Sequence, residues 1–354
     1  MRFSFVVLCL VGGVTLAAQV PAPPPPSETR PSFAEWLDGV RTEALARGIR
    51  PDVLDLALGE VEEPLPIVIE RDRSQAETVL PLETYITRSL TATLVRRGRE
   101  MVLRVNPALE RVAKDYGVPA RIIAGIWGIE SNFGAFSGTR PTIPALATLA
   151  WDPRRSALFR RELFDALEIL NRGDIEPGRM RGSWAGAMGQ PQFMPSSYLQ
   201  FAVDDDGDGH RDIWSSPGDI FASIANYLKG HGWQSGQTWG REVTHSKEAE
   251  RHVAATVARR AGSCSARRDM TVALPPDEWE RIGVRATVGA LPKGGQAASL
   301  VSGSRRHFLV YPNYDALLEY NCAHAYALTV AMLGDRLVSA LSPAPPARKP
   351  RGKA

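Results

Sequence analysis

The sequence predicts an α+β protein that is mainly α-helical, with an N-terminal helical segment and a small β-rich insertion. Apolar residues recur at helical spacing over residues 32–238. From 239 to 310 the pattern changes to short β-prone runs, such as 307–311, which are separated by turn-rich breaks. Helical spacing then returns over 311–341. We therefore expect one helical body that is interrupted by a β-rich segment.

The N-terminus has the pattern of a secretory signal peptide over residues 1–18. Arg2 precedes an apolar run that is too short to span a membrane, and small residues follow this run. Cys9 lies within the run, but the large side chains before it make a poor lipoprotein cleavage site. We therefore expect a soluble protein that is exported to the periplasm, and a lipid-anchored form is the less favoured alternative.

The other boundaries follow from changes in composition and spacing. Prolines dominate residues 19–31, which we expect to form an extended linker. The last residues, 342–354, are rich in Pro, Arg and Lys and predict a disordered tail. Between these ends we predict a helical domain (32–81) and a core that contains the candidate site (82–238). The β-rich insertion (239–310) and the helices that complete the core (311–341) follow.

The composition excludes several classes of protein. Hydrophobic residues form 44% of the chain and charged residues 23%, which is ordinary for a globular protein. The net charge of +3 is small, and no dense basic tract is interleaved with aromatic residues, so nucleic acid is not an expected partner. The histidines have no ligand-like spacing, which argues against zinc. We expect a monomer.

Two cysteines, Cys264 and Cys322, follow the predicted signal peptide. An oxidising compartment permits them to form a disulfide. Their separation in the sequence says nothing about their distance in the fold, so both the bonded and the free state stay open.

Residues 119–131 predict a helix with a candidate acid–base residue near its end. Ile123, Ile126 and Trp127 precede Glu130 by seven, four and three residues, which places all four side chains on one helical face. Burial of that face disfavours the ionised carboxylate and raises its pKa, as a general acid requires. The alternatives are a buried glutamate that pairs with arginine or backbone, and a surface residue at a helix end.

Residues 183–198 combine glycines with neutral polar and aromatic side chains. Gly186 and Gly189 let the backbone approach a ligand closely. Ser183 and Gln192 supply hydrogen-bonding groups, and the aromatic residues Trp184, Phe193 and Tyr198 offer faces for sugar rings. This lining suits a carbohydrate better than a phosphate. The alternative is a tight loop that caps the next helix.

Two motifs in this order carry a family resemblance. Residues 130–134 read Glu-Ser-Asn-Phe-Gly, and residues 185–196 read Ala-Gly-Ala-Met-Gly-Gln-Pro-Gln-Phe-Met-Pro-Ser. They resemble the B-type membrane-bound lytic murein transglycosylases, and the resemblance extends from about residue 32 to residue 341. It implies a lysozyme-like core over 82–238, with Glu130 as the catalyst. It also implies a set of substrate-binding residues: Ser183, Gln192, Tyr85, Tyr227, Asn321 and Tyr326.

The resemblance implies cleavage of the β-1,4 bond from N-acetylmuramic acid to N-acetylglucosamine without water. Glu130 would protonate the leaving oxygen and then accept the proton of the muramic C6 hydroxyl, which closes a 1,6-anhydro ring. An ordinary glycosidase needs a second carboxylate, but the next acid after Glu130 is Asp152, outside both motifs. Help from the 2-acetamido group of the substrate would remove that need, with Ser183 and Asn321 as orienting residues.

This interpretation makes peptidoglycan glycan strands the partner and needs no organic cofactor. The sequence identifies no partner among proteins of cell-wall synthesis or division. Two alternatives stay open: a hydrolytic muramidase on the same scaffold, and a non-catalytic, calcium-stabilised wall-binding protein. The first would release reducing sugars in place of anhydro sugars, and the second would release nothing.

Residues 204–213 match the opening of an EF-hand calcium loop. Asp204, Asp206 and Asp208 occupy positions 1, 3 and 5, Gly209 occupies position 6, and His210 offers its carbonyl oxygen at position 7. Calcium prefers hard oxygen ligands of this kind, and the glycine permits the sharp turn.

The end of the calcium loop departs from the standard pattern. Position 12 is Ser215, so the usual bidentate glutamate is missing. The resemblance implies a later aspartate, best matched by Asp219, and Asp212 could contribute through water. We expect Asp205, at position 2, to point to solvent. The resulting prediction is a structural Ca²⁺ ion, and the alternative is a solvated acidic turn.

Overall fold

A computed structural model describes residues 30–74 and 80–341, and within these residues the chain forms fifteen α-helices and six short strands. The predicted signal peptide, nearly all of the predicted linker, and the predicted tail lie outside the described residues. None of the described helices combines the length and the hydropathy that a membrane span requires.

The body before the insertion contains ten helices and two strands in the described residues. They are α1 (Phe33–Ala46), α2 (Pro51–Leu58), α3 (Pro66–Ser74), α4 (Leu82–Ser89), α5 (Ala92–Tyr116), α6 (Ala120–Ser131), β1 (Arg140–Pro141), α7 (Thr142–Trp151), α8 (Ser156–Arg172), β2 (Arg181–Gly182), α9 (Pro195–Phe201) and α10 (Pro217–Gly230).

The insertion and the C-terminal part follow. They contain β3 (Gly240–Thr244), α11 (Lys247–Thr256), α12 (Ser265–Asp269), α13 (Pro276–Ile282), β4 (Arg285–Ala286), β5 (Ser299–Ser302), β6 (His307–Val310), α14 (Asn313–Tyr320) and α15 (His324–Leu341). The chain is mainly helical with small antiparallel sheets, as the sequence predicts.

The first apolar core surrounds α6, which is buried on nearly all sides. α5, α10, α14 and α15 contribute many of the other apolar side chains of this core, and Ile86 of α4 and residues of the insertion, such as Phe308, complete it. Gly125 on α6 faces α15, where an added Cβ would lie 2.5 Å from the carbonyl oxygen of Val330. Glycine therefore allows the two helices to approach closely. A helix that is apolar all round belongs in a protein interior, and α6 supports the residues at its C-terminal end.

The second core joins the N-terminal helices to the middle of the chain. Val40, Leu54 and Val68, from α1, α2 and α3, share it with side chains of α7, α8 and α9. Ser32 starts α1 with a capping box, in which its hydroxyl and Glu35 satisfy backbone N–H groups. The N-terminal segment thus packs on the helical body. The division of the chain into domains at the predicted boundaries stays a prediction.

The insertion forms a four-stranded antiparallel sheet in the order β4-β3-β6-β5. β3 pairs with β6, with Gly240 opposite Val310, so the chain leaves and re-enters the helical body on neighbouring strands. The β-prone run 270–274 forms only isolated bridges, through Thr271 and Leu274. The insertion also contains α11, α12 and α13, which its β-prone pattern did not predict, because helices this short show little periodicity.

A disulfide between Cys264 and Cys322 ties the insertion to the connection between α14 and α15. Its two Cα atoms are 5.7 Å apart, although the cysteines are separated by 58 positions in the sequence. Arg267, next to this bridge on α12, forms ion pairs with Asp315 and Glu319 on α14. The structure thus answers the question that the sequence left open.

Candidate active site

α6 carries Glu130 in its last turn. The helix begins at Ala120, with Pro119 as its N-cap, which is one residue later than the sequence predicts. Ile123, Ile126 and Trp127 are buried, as expected for the face that they share with Glu130. The carboxyl group therefore lies where an apolar helix face ends.

The carboxyl group of Glu130 has few polar neighbours. Burial raises its pKa from 4.5 to about 7, and a hydrogen bond from Tyr326 opposes part of that rise. The Tyr326 hydroxyl donates to Glu130 Oε1 over 2.5 Å. None of the ion pairs among residues 30–74 and 80–341 includes Glu130. The alternative of a glutamate neutralised by arginine therefore does not describe this residue.

The chain turns sharply after Glu130. Asn132, Phe133 and Gly134 have φ angles of 50°, 55° and 77°, in the left-handed region that non-glycine residues seldom adopt. The buried ring of Phe133 packs edge-on against Trp127, with centroids 5.3 Å apart. The backbone conformation of this turn is costly, and the packing of Phe133 holds it in place.

Tyrosines from four other helices form a cluster beside the Glu130 carboxyl group. Tyr326 lies on α15, and its ring stacks on Tyr320 of α14 at 6.3 Å. Tyr227 of α10 contacts Tyr320 at 4.7 Å. Tyr85 lies on α4, where burial raises the pKa of its hydroxyl and the neighbouring Glu130 carboxylate raises it further. The structure thus brings Tyr85 and Tyr326 next to Glu130, and Tyr227 into the same aromatic cluster.

The glycine-rich loop is attached to α6 through Gln190. The indole N–H of Trp127 donates to Gln190 Oε1 over 2.6 Å, and Gln190 Nε2 donates to the carbonyl oxygen of Trp214 over 2.7 Å. The Tyr320 hydroxyl donates to the carbonyl oxygen of Pro191 over 2.8 Å. The loop is therefore held between the helix that carries Glu130 and the tyrosine cluster.

Ser183 and Gln192 lie on this loop with part of their hydrogen-bonding capacity free for a ligand. Ser183 Oγ accepts the N–H groups of Ala185 and Ala187, which leaves the hydroxyl proton able to donate. Gln192 Nε2 donates to the carbonyl oxygen of Gly189 over 2.8 Å, and its amide oxygen can still accept. Gln192 also has a φ of 55°, a strained conformation that is found at functional positions.

Asn321 is exposed at the end of α14, five residues before Tyr326. No sequence signal singled out Tyr320, although its ring and hydroxyl connect Tyr326, Tyr227 and the loop. Its position directly before Asn321, a predicted site residue, is the feature of the sequence that could have identified it.

The acidic loop brings three carboxylates together. Oxygen atoms of Asp204, Asp206 and Asp219 all lie within 4.8 Å of one another. The N–H groups of Gly207 and Gly209 donate to Asp204 over 2.7 Å and 2.9 Å, which wraps the loop around that carboxylate. A set of hard oxygen donors on a tight turn fits Ca²⁺.

Asp219 completes this group from the start of α10. Its carboxylate is fully buried and accepts the N–H groups of Asp205 and Asp212 over 2.9 Å and 2.7 Å. Burial raises the pKa of Asp219, and the negative charges of Asp206 and Asp204 raise it further. Packing three acidic groups this closely costs free energy that a bound cation would offset.

The other loop residues have different positions. Asp208 is exposed and lies outside the group of three, where its carboxylate accepts the N–H of His210 over 2.8 Å. The His210 ring contacts the carbonyl oxygen of Gly173. The group of His210 that could bind a metal ion in the loop is therefore its backbone carbonyl oxygen. The expectation that Asp205 points to solvent is wrong: its side chain is 8% exposed and forms a two-pronged ion pair with Arg111. Arg111 is 94 positions away in the sequence, and no local pattern connects the two.

Comparisons with known proteins agree with this geometry. The family model described as the transglycosylase SLT domain matches residues 32–335. The membrane-bound lytic murein transglycosylase B of Escherichia coli (strain K12) is 43% identical over 153 residues, which are 43% of this chain and 42% of that protein. The chain thus aligns with less than half of the length of this relative.

Solved structures match over a longer stretch. The crystal structure of SltB3 from Pseudomonas aeruginosa in complex with NAG-anhNAM-pentapeptide has a TM-score of 0.78 and 41% identity, covering 88% of this chain and 80% of that one. The lytic transglycosylase Slt35 of Escherichia coli in complex with calcium has a TM-score of 0.71 and 29% identity, covering 88% and 94%.

Proposed function

This chain belongs to the transglycosylase SLT domain family, and on that premise we propose that it is a lytic transglycosylase of peptidoglycan. It would cleave the β-1,4 bond between N-acetylmuramic acid and N-acetylglucosamine without water. Its fold is the lysozyme-like fold of the lytic transglycosylases that it matches. The observation that carries the proposal is Glu130, a half-buried residue without an ionic partner in the described residues, whose carboxyl pKa is raised to about 7 by desolvation.

A pKa near 7 suits a residue that must act first as an acid and then as a base. In the first step, Glu130 donates its proton to the glycosidic oxygen, and the bond from that oxygen to C1 of the muramic residue breaks. In the second step, the Glu130 carboxylate takes the proton of the C6 hydroxyl, and the C6 oxygen bonds to C1. The product is a 1,6-anhydro ring, and Glu130 is protonated again.

The other site residues would bind and orient the sugars. The Ser183 hydroxyl proton and the Gln192 amide oxygen can bond to the 2-acetamido group or to sugar hydroxyls, because the bonds to the Ser137 and Gly189 carbonyl oxygens use only the Gln192 amide nitrogen. Asn321 would act with Ser183 on the acetamido group, which assists the reaction in place of a second carboxylate. Tyr85, which is half-buried, would line the cleft as a face for a sugar ring, and the buried Tyr227 and Tyr326 would support the cleft wall from beneath. Crystallised relatives hold NAG-NAM-pentapeptide and NAG-anhNAM-pentapeptide, which supports glycan strands with peptide stems as the substrate.

Calcium would have a structural role in the acidic loop. Asp204, Asp206 and Asp219 are the side chains whose arrangement supports the site. Asp208 and the His210 carbonyl stay predicted ligands from the EF-hand pattern. The ion would hold the loop against α10 and α5, the latter through the Asp205–Arg111 pair.

The place of action follows from the substrate and the N-terminal pattern. Peptidoglycan lies outside the cytoplasmic membrane, and residues 1–18 resemble a secretory signal peptide. We therefore place the protein in the periplasm.

The test is mass spectrometry of purified sacculi after digestion by the protein. We expect muropeptides with 1,6-anhydro ends from the wild type, and at least about a thousandfold slower release from Glu130→Gln. The variant should keep its circular dichroism spectrum, because glutamine has nearly the same shape as glutamate. Reducing ends in place of anhydro ends would identify a hydrolytic muramidase, and no release by the wild type would favour the wall-binding alternative.

A further inference from the structure

A buried glutamate, Glu83, lies on α4 two residues before Tyr85. It is 7% exposed, and its partners are about 220 positions away in the sequence. Glu83 Oε1 accepts the N–H groups of Arg305 and Arg306 over 2.7 Å and 3.1 Å. Its Oε2 accepts the hydroxyl of Ser304 over 3.1 Å. A helix of the body thus holds the tip of the β5–β6 hairpin of the insertion.

The hairpin tip is shaped to receive this carboxylate. The N–H of Gly303 donates to the carbonyl oxygen of Arg306 over 2.8 Å, which closes the turn between β5 and β6. Two consecutive N–H groups in the turn then point at one carboxylate oxygen, an arrangement that binds anions. A Cβ added to Gly303 would lie 2.5 Å from Glu83 Oε1, so a larger residue at that position would displace the carboxylate.

α4 has only two turns, and it contacts both the first apolar core and the insertion. Its buried Ile86 packs in the first core, whereas Glu83 faces the insertion. Tyr85 lies between these anchors and is close enough to Glu130 for the carboxylate to act on its hydroxyl. Tyr326, the hydrogen-bond partner of Glu130, is also close enough to Tyr85 for the two hydroxyls to interact.

We propose that Glu83 is a positioning residue: by binding the tip of the insertion, it holds α4 so that Tyr85 stays beside Glu130. The kinetic consequences of this inference rest on the proposed function, whereas the contact between Glu83 and the hairpin tip is independent of it. The β-rich insertion then contributes to the site without containing a site residue, because it supports α4, the helix that carries Tyr85.

Displacement of Tyr85 should affect the reaction in a recognisable way. If α4 shifts, water reaches Glu130, and loss of desolvation lowers its pKa toward the ordinary value. The general acid must be protonated, so activity is lost as the pH rises through that pKa. A weakened anchor should therefore move the alkaline limb of the kcat/KM profile to lower pH.

Three variants separate positioning from simple loss of stability. Glu83→Gln removes the charge and one acceptor oxygen, and Gly303→Ala disturbs the same contact from the other side. The matched control is Glu242→Gln, which likewise removes the charge and one of the two acceptor oxygens that Arg306 binds over 2.7 Å within the insertion, and leaves the bonds of Glu83 in place. Each variant is compared with the wild type by release of anhydro-muropeptides over a pH series and by hydrogen–deuterium exchange.

We expect Glu83→Gln and Gly303→Ala each to lower kcat by roughly tenfold, since a displacement of about 1 Å in a site can cost up to about a hundredfold. Both should shift the alkaline limb downward and speed exchange in α4 and at the hairpin tip. Glu242→Gln should keep the wild-type kcat and alkaline limb, even if it melts earlier.

Two results would overturn the inference. One is Glu83→Gln with unchanged exchange in α4 or an unchanged alkaline limb. The other is the same kinetic change in Glu242→Gln, which would assign the effect to general loosening of the insertion. If the wild type releases no anhydro-muropeptides, the proposed function fails, and the exchange measurements still decide whether Glu83 holds α4.

Discussion

Glu130 is half-buried and Glu83 is buried, and their carboxyl groups behave in opposite ways. Burial raises the pKa of Glu130 to about 7, and the hydrogen bond from Tyr326 offsets this only in part. Burial also pushes the pKa of Glu83 upward, but the N–H groups of the hairpin tip and the Ser304 hydroxyl outweigh burial and lower the pKa to about 2.

Burial alone therefore does not define an acid–base residue. A buried carboxylate with several donors stays ionised and serves as an anchor, because each donor stabilises the charge. A buried carboxyl group with one donor keeps its proton near neutral pH and can give it to a substrate. The number of donors around each glutamate separates the two roles.

The largest expected effect concerns the pH dependence of stability at Glu130. Its folded-state pKa of about 7 lies above the ordinary 4.5, so its contribution to stability is complete below pH 4.5 and is lost as the pH rises to 7. Relative to the wild type, Glu130→Gln should gain about 3 kcal/mol of unfolding free energy between about pH 4 and about pH 8. Urea unfolding over a pH series measures this difference.

Glu83→Gln supplies the opposite half of the comparison. The folded-state pKa of Glu83, about 2, lies below 4.5, so its contribution is present above pH 4.5 and is lost as the pH falls to 2. The wild type should therefore lose about 2 kcal/mol of its advantage over this variant as the pH falls from about 5 to about 3. If both variants responded in the same pH range, the contrast between the two glutamates would be wrong.

Asp219 extends the comparison to a carboxylate that accepts backbone N–H groups and also has negatively charged aspartates beside it. We expect Ca²⁺ at a hundred times its dissociation constant to stabilise the fold by about 2.7 kcal/mol, measured as a rise in melting temperature that a chelator reverses. Asp219→Asn should abolish this response. Asp55→Asn, which makes the same charge change at an exposed position on α2, should keep it. A wild type that does not respond to calcium would contradict the metal proposal.

The smallest expected effect comes from Tyr326→Phe, which removes the donor to Glu130. Because this bond lowers the pKa of Glu130, its loss should move the alkaline limb of the kcat/KM profile upward by about one pH unit. Tyr320→Phe is the control, since its hydroxyl donates to Pro191 and not to Glu130. A downward shift in Tyr326→Phe would mean that water entry outweighs the lost bond.

Local patterns made part of the fold and of the candidate site predictable. Glu130 and the apolar residues of its helix face lie within one or two turns of α6, so helical spacing alone relates them. The spacing of Asp204 and Asp206 within one loop predicts the acidic group in the same way. The short helices of the insertion were not predictable, because segments of five to ten residues contain too few turns for a periodic signal.

Local sequence patterns were enough to predict the helical body, the β-prone strands at the end of the insertion, and the motif that places a glutamate at the end of an apolar helix. The tertiary structure alone decided which distant groups meet: Tyr326 with Glu130, Arg111 with Asp205, Cys264 with Cys322, and the hairpin tip with Glu83. The physical reason is that side-chain periodicity reports only which face of an element is buried. The donors and charges opposite that face, which set each carboxyl pKa, come from segments that only packing brings together.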